Sequence, residues 1–372
     1  MTDPVIQGTG SISDLTGDFI LYRSLNPLDT RLPRFEEIRR NLSLSPDRHP
    51  RKSDREYGRV SAAYIRLITK LEGKPEPSNL LFIGDTIYND GAAFRNILHA
   101  GRWKGNAFIG SEDTDRPPEI ITKNNVAAAT RWQLLGRFLS EVDVPLDEHT
   151  VLVLDLDKTT LGARGRNDGP INKARMSAIR HTIQGTLDQD LDDAAFQHAY
   201  DTLNQPEFHP FTGDNQDYLA YLCLMLSGGV LQLDRLVSDI RSGRYKDFPE
   251  LLQALQQESS SFNHPGLLKS HEQVWHAVQK GDPTPYKEFR KAEFAATLAR
   301  FTTDSTLPLE TILAEKIALT GEVYEAALEL RNQGVTVLGI SDKPDLSSIP
   351  DEEGQRDGIL PVHKQQTIIV GV

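Results

Sequence analysis

The sequence predicts an α/β protein: a Rossmann-like parallel sheet with helices on both faces, plus an inserted all-helical region. Three observations predict it. Apolar runs at Leu80–Ile83, Val151–Leu154 and Val335–Ile340 each end in a polar, turn-forming cluster (GDTIYND, DLDKTT and SDKPD), the pattern of strands buried on both faces. Helical periodicity accompanies each run, and an alternation of strand and helix implies a doubly wound sheet. The middle of the chain, by contrast, is helical in pattern without a convincing strand.

Taken in order, residues 1–55 are rich in Pro, Arg and Asp and poorly periodic, apart from DFILYRSL, a candidate edge strand. Residues 56–165 form the first part of the sheet domain. Within it, 59–71 (RVSAAYIRLITKL) and 92–100 (AAFRNILHA) carry apolar residues at helical spacing, with Gly101 as C-cap, and Asn106–Ile109 is a further short strand. Residues 166–316 are broken by clusters such as QPEFHPFTGDN, ESSSFNHPG and KGDPTP, and form the helical insertion. Residues 317–372 return to the sheet domain. They bring a helix over 320–333 with Thr320 as N-cap and Glu322 in its first turn, and a last strand at Thr367–Val372.

Composition narrows the partners. The net charge of −12 argues against nucleic acid or an anionic membrane as the main partner, since both require clustered Lys and Arg. It leaves room for a small phosphorylated substrate, because a metal or a few basic side chains reverse the field within one cleft. Cys223 is the single cysteine, which rules out an intrachain disulfide and a cysteine-rich zinc site. The start, MTDPVIQGTGS, lacks a signal-peptide pattern and no apolar run approaches bilayer length, so a cytoplasmic protein is expected. QGTGS has no strand before it and is not a nucleotide loop; His209, alone in a loop, receives no role.

The chemistry concentrates in VLVLDLDKTTL. Asp155 and Asp157 stand at the carboxyl end of a strand, where open α/β sheets place ligands, and side chains two apart on an extended segment point the same way. The pair suits phosphoryl transfer: Asp155 attacks phosphorus, while Asp157 protonates the leaving oxygen and later deprotonates water. Thr159 holds the turn. Carboxylates beside a phosphate dianion call for a hard cation, and Mg²⁺ suits oxygen ligands. Asp85 and Asp90 of GDTIYND are candidates to complete the metal site with Asp155 and Asp157. Ser341 is placed to donate to a phosphate oxygen. For the basic phosphate-binding residue Arg59 is the choice, with Lys52, Arg66 and Lys70 as rivals.

Together these pieces resemble the haloacid dehalogenase superfamily of phosphatases. DLDKT (Asp155, Asp157, Thr159) is similar to its first motif, the strand ending in Ser341 to its second, and GDTIYND (Asp85, Asp90) to its fourth. Arg59, about 26 residues before Asp85, lies where the family carries the basic residue of its third. The resemblance implies Mg²⁺, an aspartyl-phosphate intermediate, phosphate contacts from Ser341, Arg59 and Thr159, and a cap domain, here the helical insertion. The motif order departs from the family's: the third and fourth precede the first, as though the sheet domain were circularly permuted. The expected activity is hydrolysis of a small phosphomonoester. The alternatives are transfer of the phosphoryl group to another hydroxyl, as in a phosphotransferase or mutase, and a non-catalytic scaffold with a partner-binding helical domain.

Overall fold

The computed structural model describes residues 3–46, 48–188 and 191–372. The chain divides into two compact units, Met1–Lys173 with Thr297–Val372, and Ala174–Ala296. No helix among the described residues is long and apolar enough to cross a membrane.

Ten strands run along the first unit: β1 (Val5–Gly10), β2 (Ile20–Leu21), β3 (Asn79–Gly84), β4 (Lys104–Gly110), β5 (Ile120–Lys123), β6 (Val126–Ala129), β7 (Thr150–Asp155), β8 (Leu319–Thr320), β9 (Thr336–Ile340) and β10 (Thr367–Gly371). Seven make one sheet in the order β2-β9-β7-β3-β4-β6-β5. Every pair is parallel except β5 with β6. Every residue of β3, β7 and β9 is buried, as their unbroken apolar runs predict. Alternate side chains serve opposite faces. Leu80, Phe82, Val151, Val153 and Leu338 pack with helices Arg55–Leu71 and Asp90–Gly101. Leu81, Ile83, Leu152, Leu154 and Val337 pack with Trp132, Phe138 and helix Gly321–Asn332.

Joining the chain's two ends on paper and counting the parallel strands from β7 makes β7, β9, β2, β3, β4 and β6 strands one to six. The spatial order becomes 3-2-1-4-5-6, the Rossmann order, whose switch point lies between strands one and four. Here these are β7 and β3. The two ends are also neighbours: β1 pairs antiparallel with β10, Val5 opposite Gly371.

Several expectations are revised. The final apolar run is not the next strand of the large sheet; β10 lies between β1 and β8 in a separate three-stranded sheet, and β2 occupies the edge beside β9. Residues 1–55 therefore supply strands to both sheets rather than an irregular extension. Gly101 does not take the left-handed C-cap conformation, which falls to Arg102 (φ 57°). Gly101 is needed because a Cβ there would lie 2.2 Å from the Trp103 ring. Thr320 stands at the N-cap of helix Gly321–Asn332, but its hydroxyl donates to Thr159 O at 2.5 Å instead of capping.

The second unit is helical throughout its described residues and narrower than 166–316. Its core surrounds helix Gln216–Ser227, where Leu219 to Met225 are all buried, so this helix is apolar on every side. Residues 309–315 belong instead with the sheet unit. Asn167 Nδ2 donates to Leu313 O and Lys316 O, and Ile312 packs on Ile368 and Val370 of β10.

Candidate active site

Strand register brings the predicted residues level. Ile83 pairs with Leu154 and Asp155 with Ile340, so Asp85, Asp155 and Ser341 leave three adjacent parallel strands at their carboxyl ends. Asp85, Asp90 and Asp155 each present a carboxylate oxygen within 4.8 Å of the others'.

Lys52 sits among them. Its Nζ donates to Asp155 Oδ1 at 2.6 Å and to Asp90 Oδ1 at 2.7 Å, with the side chain 4% exposed. Burial favours a neutral amine, but the Asp155 and Asp90 carboxylates outweigh it and hold the ammonium well above its ordinary range. Asp155 Oδ2 accepts the Thr159 hydroxyl at 2.8 Å, and Asp155 O accepts that of Thr160 at 2.7 Å. Lys158, with φ 65°, makes the left-handed bend that turns this loop back on its strand.

Asp90 anchors the loop after β3. Its Oδ2 accepts the backbone N–H of Asp85 and Thr86 and the Thr86 hydroxyl at 3.1, 2.9 and 3.0 Å. Gly84 makes room for it, since a Cβ there would lie 2.6 Å from that of Asp90. Asp85 Oδ2 accepts from Arg164 Nε at 2.6 Å.

The electrostatics are uneven. Burial works against an Asp90 carboxylate, yet Lys52 and the Thr86 N–H bring it down to about 2. Asp85 moves the other way, pushed up to about 7 by burial and by the charge of Asp90, against Arg164. Asp155 lies well above the ordinary carboxylate range: burial and the charges of Asp90 and Asp85 outweigh Lys52. Three carboxylates thus share a pocket that Lys52 and Arg164 do not fully neutralise. An all-oxygen donor set short of positive charge is what a hard divalent cation fits.

Three assignments change. Arg59 is exposed and donates to Leu42 O, while Lys52 is the cation that contacts Asp155 and Asp90. The helix begins at Arg55, and its buried residues Tyr57, Val60, Tyr64, Ile65 and Ile68 put Arg59 on the outward side. That apolar spacing was the signal available for finding this. Arg66 is spent on Glu76 and Gly101 O, and Lys70 is exposed. Asp157 is not part of the carboxylate cluster; its Oδ1 lies 3.7 Å from Lys343 Nζ. Thr159, expected to contact phosphate, is fully buried with its hydroxyl donated to Asp155. Ser341 is buried at the end of β9, where its Oγ accepts from Lys343 N at 3.0 Å. Arg164 and Lys343, the charged partners of Asp85 and Asp157, carry no motif signal and emerge only from the fold.

No known protein family, curated protein or solved structure matches this chain.

Proposed function

We propose that this chain is a Mg²⁺-dependent phosphomonoesterase of the haloacid dehalogenase type, circularly permuted in its sheet domain, with Asp155 as the nucleophile and the helical unit as its cap. The observation that carries the reading is the meeting of Asp85, Asp90 and Asp155 around Lys52 at the switch point of a 3-2-1-4-5-6 sheet. Residues far apart in sequence converge on one spot, which supports the reading. The antiparallel pairing of β1 with β10 supports the permutation, since it sets side by side the two segments that the family order would join.

Asp85 and Asp155, with Asp90 close by, would hold the divalent ion, which supplies charge neutralisation for the phosphate dianion when bound. The remaining work belongs to the chain. Lys52 and Thr159 fix the two oxygens of Asp155 and keep one rotamer aimed for attack. Attack forms the Asp155–phosphorus bond and breaks the bond to the leaving oxygen, which takes its proton from Asp157. Asp157 then removes a proton from water as that water attacks phosphorus, releasing phosphate and restoring the Asp155 carboxylate. Lys343 restrains Asp157 between the two steps.

The test is phosphate release from p-nitrophenyl phosphate by the whole chain, with Mg²⁺ and with chelator. Mg²⁺-dependent turnover is expected, and Asp155→Asn should lose at least about a thousandfold in rate. Full activity in Asp155→Asn would sink the nucleophile assignment.

A further inference from the structure

A cleft of about 400 Å³ opens beside the carboxylate cluster, with Asp85 and Arg164 in its wall. Asp85 belongs to both, so cleft and cluster share a boundary. The cleft runs across the carboxyl ends of β3, β4 and β6, on the side of the cluster away from β9. An open α/β sheet presents its ligand surface there.

Its composition is unlike that of the cluster. Ile87, Tyr88 and Ile121 line it while remaining 56%, 81% and 56% exposed. A single exposed apolar side chain needs no explanation, but three around one cavity indicate something that covers them. Several polar side chains of the wall already have partners. Arg116 pairs with Glu119, the Thr130 hydroxyl donates to Pro117 O, and Ser111 Oγ donates to Ala129 O. Beside the charged Asp113, Arg116 and Arg164, the cleft offers a ligand an apolar surface with one exposed aromatic ring, suited to stacking.

We propose that this cleft receives the leaving group, and that the substrate is a phosphomonoester whose alcohol part carries a flat aromatic ring. The inference rests on the phosphomonoesterase reading and narrows it. The volume lies at the small end of the range for ligand pockets, about 300 to 1,000 Å³, so one ring system on a short linker fits.

The experiment is calorimetric binding of benzylphosphonate and methylphosphonate, neither of which can be hydrolysed, to the whole chain in Mg²⁺. Benzylphosphonate should bind about tenfold more tightly. In Tyr88→Ala and in Ile121→Ala the margin should shrink to about twofold or less, with the loss falling on benzylphosphonate. Leu328→Ala, an exposed apolar position outside the cleft on helix Gly321–Asn332, controls for lost apolar surface and should keep the margin. Equal affinities in the wild type, or a margin that survives both cleft variants, overturn the leaving-group assignment and leave the phosphatase reading intact. If neither phosphonate binds, the phosphate site itself is wrong and both readings fall.

Discussion

Each of the two units buries a cluster of charged side chains, and the two clusters are built differently. In the helical unit Arg290 lies between Asp217 and Glu293, all three almost completely buried. It donates to Asp217 Oδ2 at 2.5 and 2.9 Å and to Glu293 Oε2 at 2.6 Å. Arg175 adds a second cation at 3.3 Å from Glu293, and Asp217 Oδ1 accepts Tyr286 N. Two carboxylates meet two guanidinium groups, and the cluster is neutral. In the sheet unit three carboxylates meet Lys52 and Arg164, and Asp85 is driven up to about 7. The first arrangement is balanced in charge. The second is short of positive charge, the imbalance that the proposed divalent cation would offset.

Removing the central cation separates the two. Lys52→Met and Arg290→Met should each lower unfolding stability by about 3–5 kcal/mol, because a buried carboxylate loses its partner. Only Lys52→Met should also abolish phosphate release, by about a thousandfold, measured at a temperature where both variants remain folded. Equal loss of activity in Arg290→Met would mean that the helical cluster is not merely structural.

A smaller effect, of opposite sign, is expected at Asp85. Its folded value of about 7 lies above the ordinary 3.8, so the folded state holds the proton more tightly than the unfolded chain does. Stability at this site is therefore present below pH 3.8 and lost as pH rises to about 7. Asp85→Asn removes the charge and should stabilise the metal-free protein by about 2 kcal/mol at pH 8, while weakening Mg²⁺ binding. Thermal melts of both proteins across pH 4–8 (about that span) check the sign, and a melting curve for Asp85→Asn no higher than wild type at pH 8 would contradict it. The smallest effect belongs to Arg59→Ala, which should change stability by about 0.5 kcal/mol or less and leave turnover within about twofold. A large loss of turnover there would return the phosphate-binding role to Arg59 and unseat Lys52.

Much of the fold was legible. The strand cores at Leu80–Ile83 and Val151–Leu154 were evident because strands buried on both faces must be apolar at every position. The helices over 59–71 and 92–100 followed from period, with a start misjudged by four residues at Arg55. Asp85 and Asp155 stood out because carboxylates at the ends of such strands are costly without a purpose, and Asp90 because it follows Asp85 in GDTIYND at the start of a helix. Lys52 did not stand out. It lies in the irregular stretch RKSD before a helix, where no period exists to aim a side chain. β2 and β8 are two residues long, too short for any pattern to declare them.

The sequence by itself determined which segments are buried strands and which carboxylates end them, because burial and strand geometry act over a few neighbouring residues. Only the tertiary structure decided that the loop carrying Lys52 closes over Asp155, that Asp157 stands apart beside Lys343, and that Arg164 reaches Asp85. Those pairings span 103, 186 and 79 positions of chain. Charge attraction at such separations takes effect only after packing has brought the strands into register, so no local pattern records it.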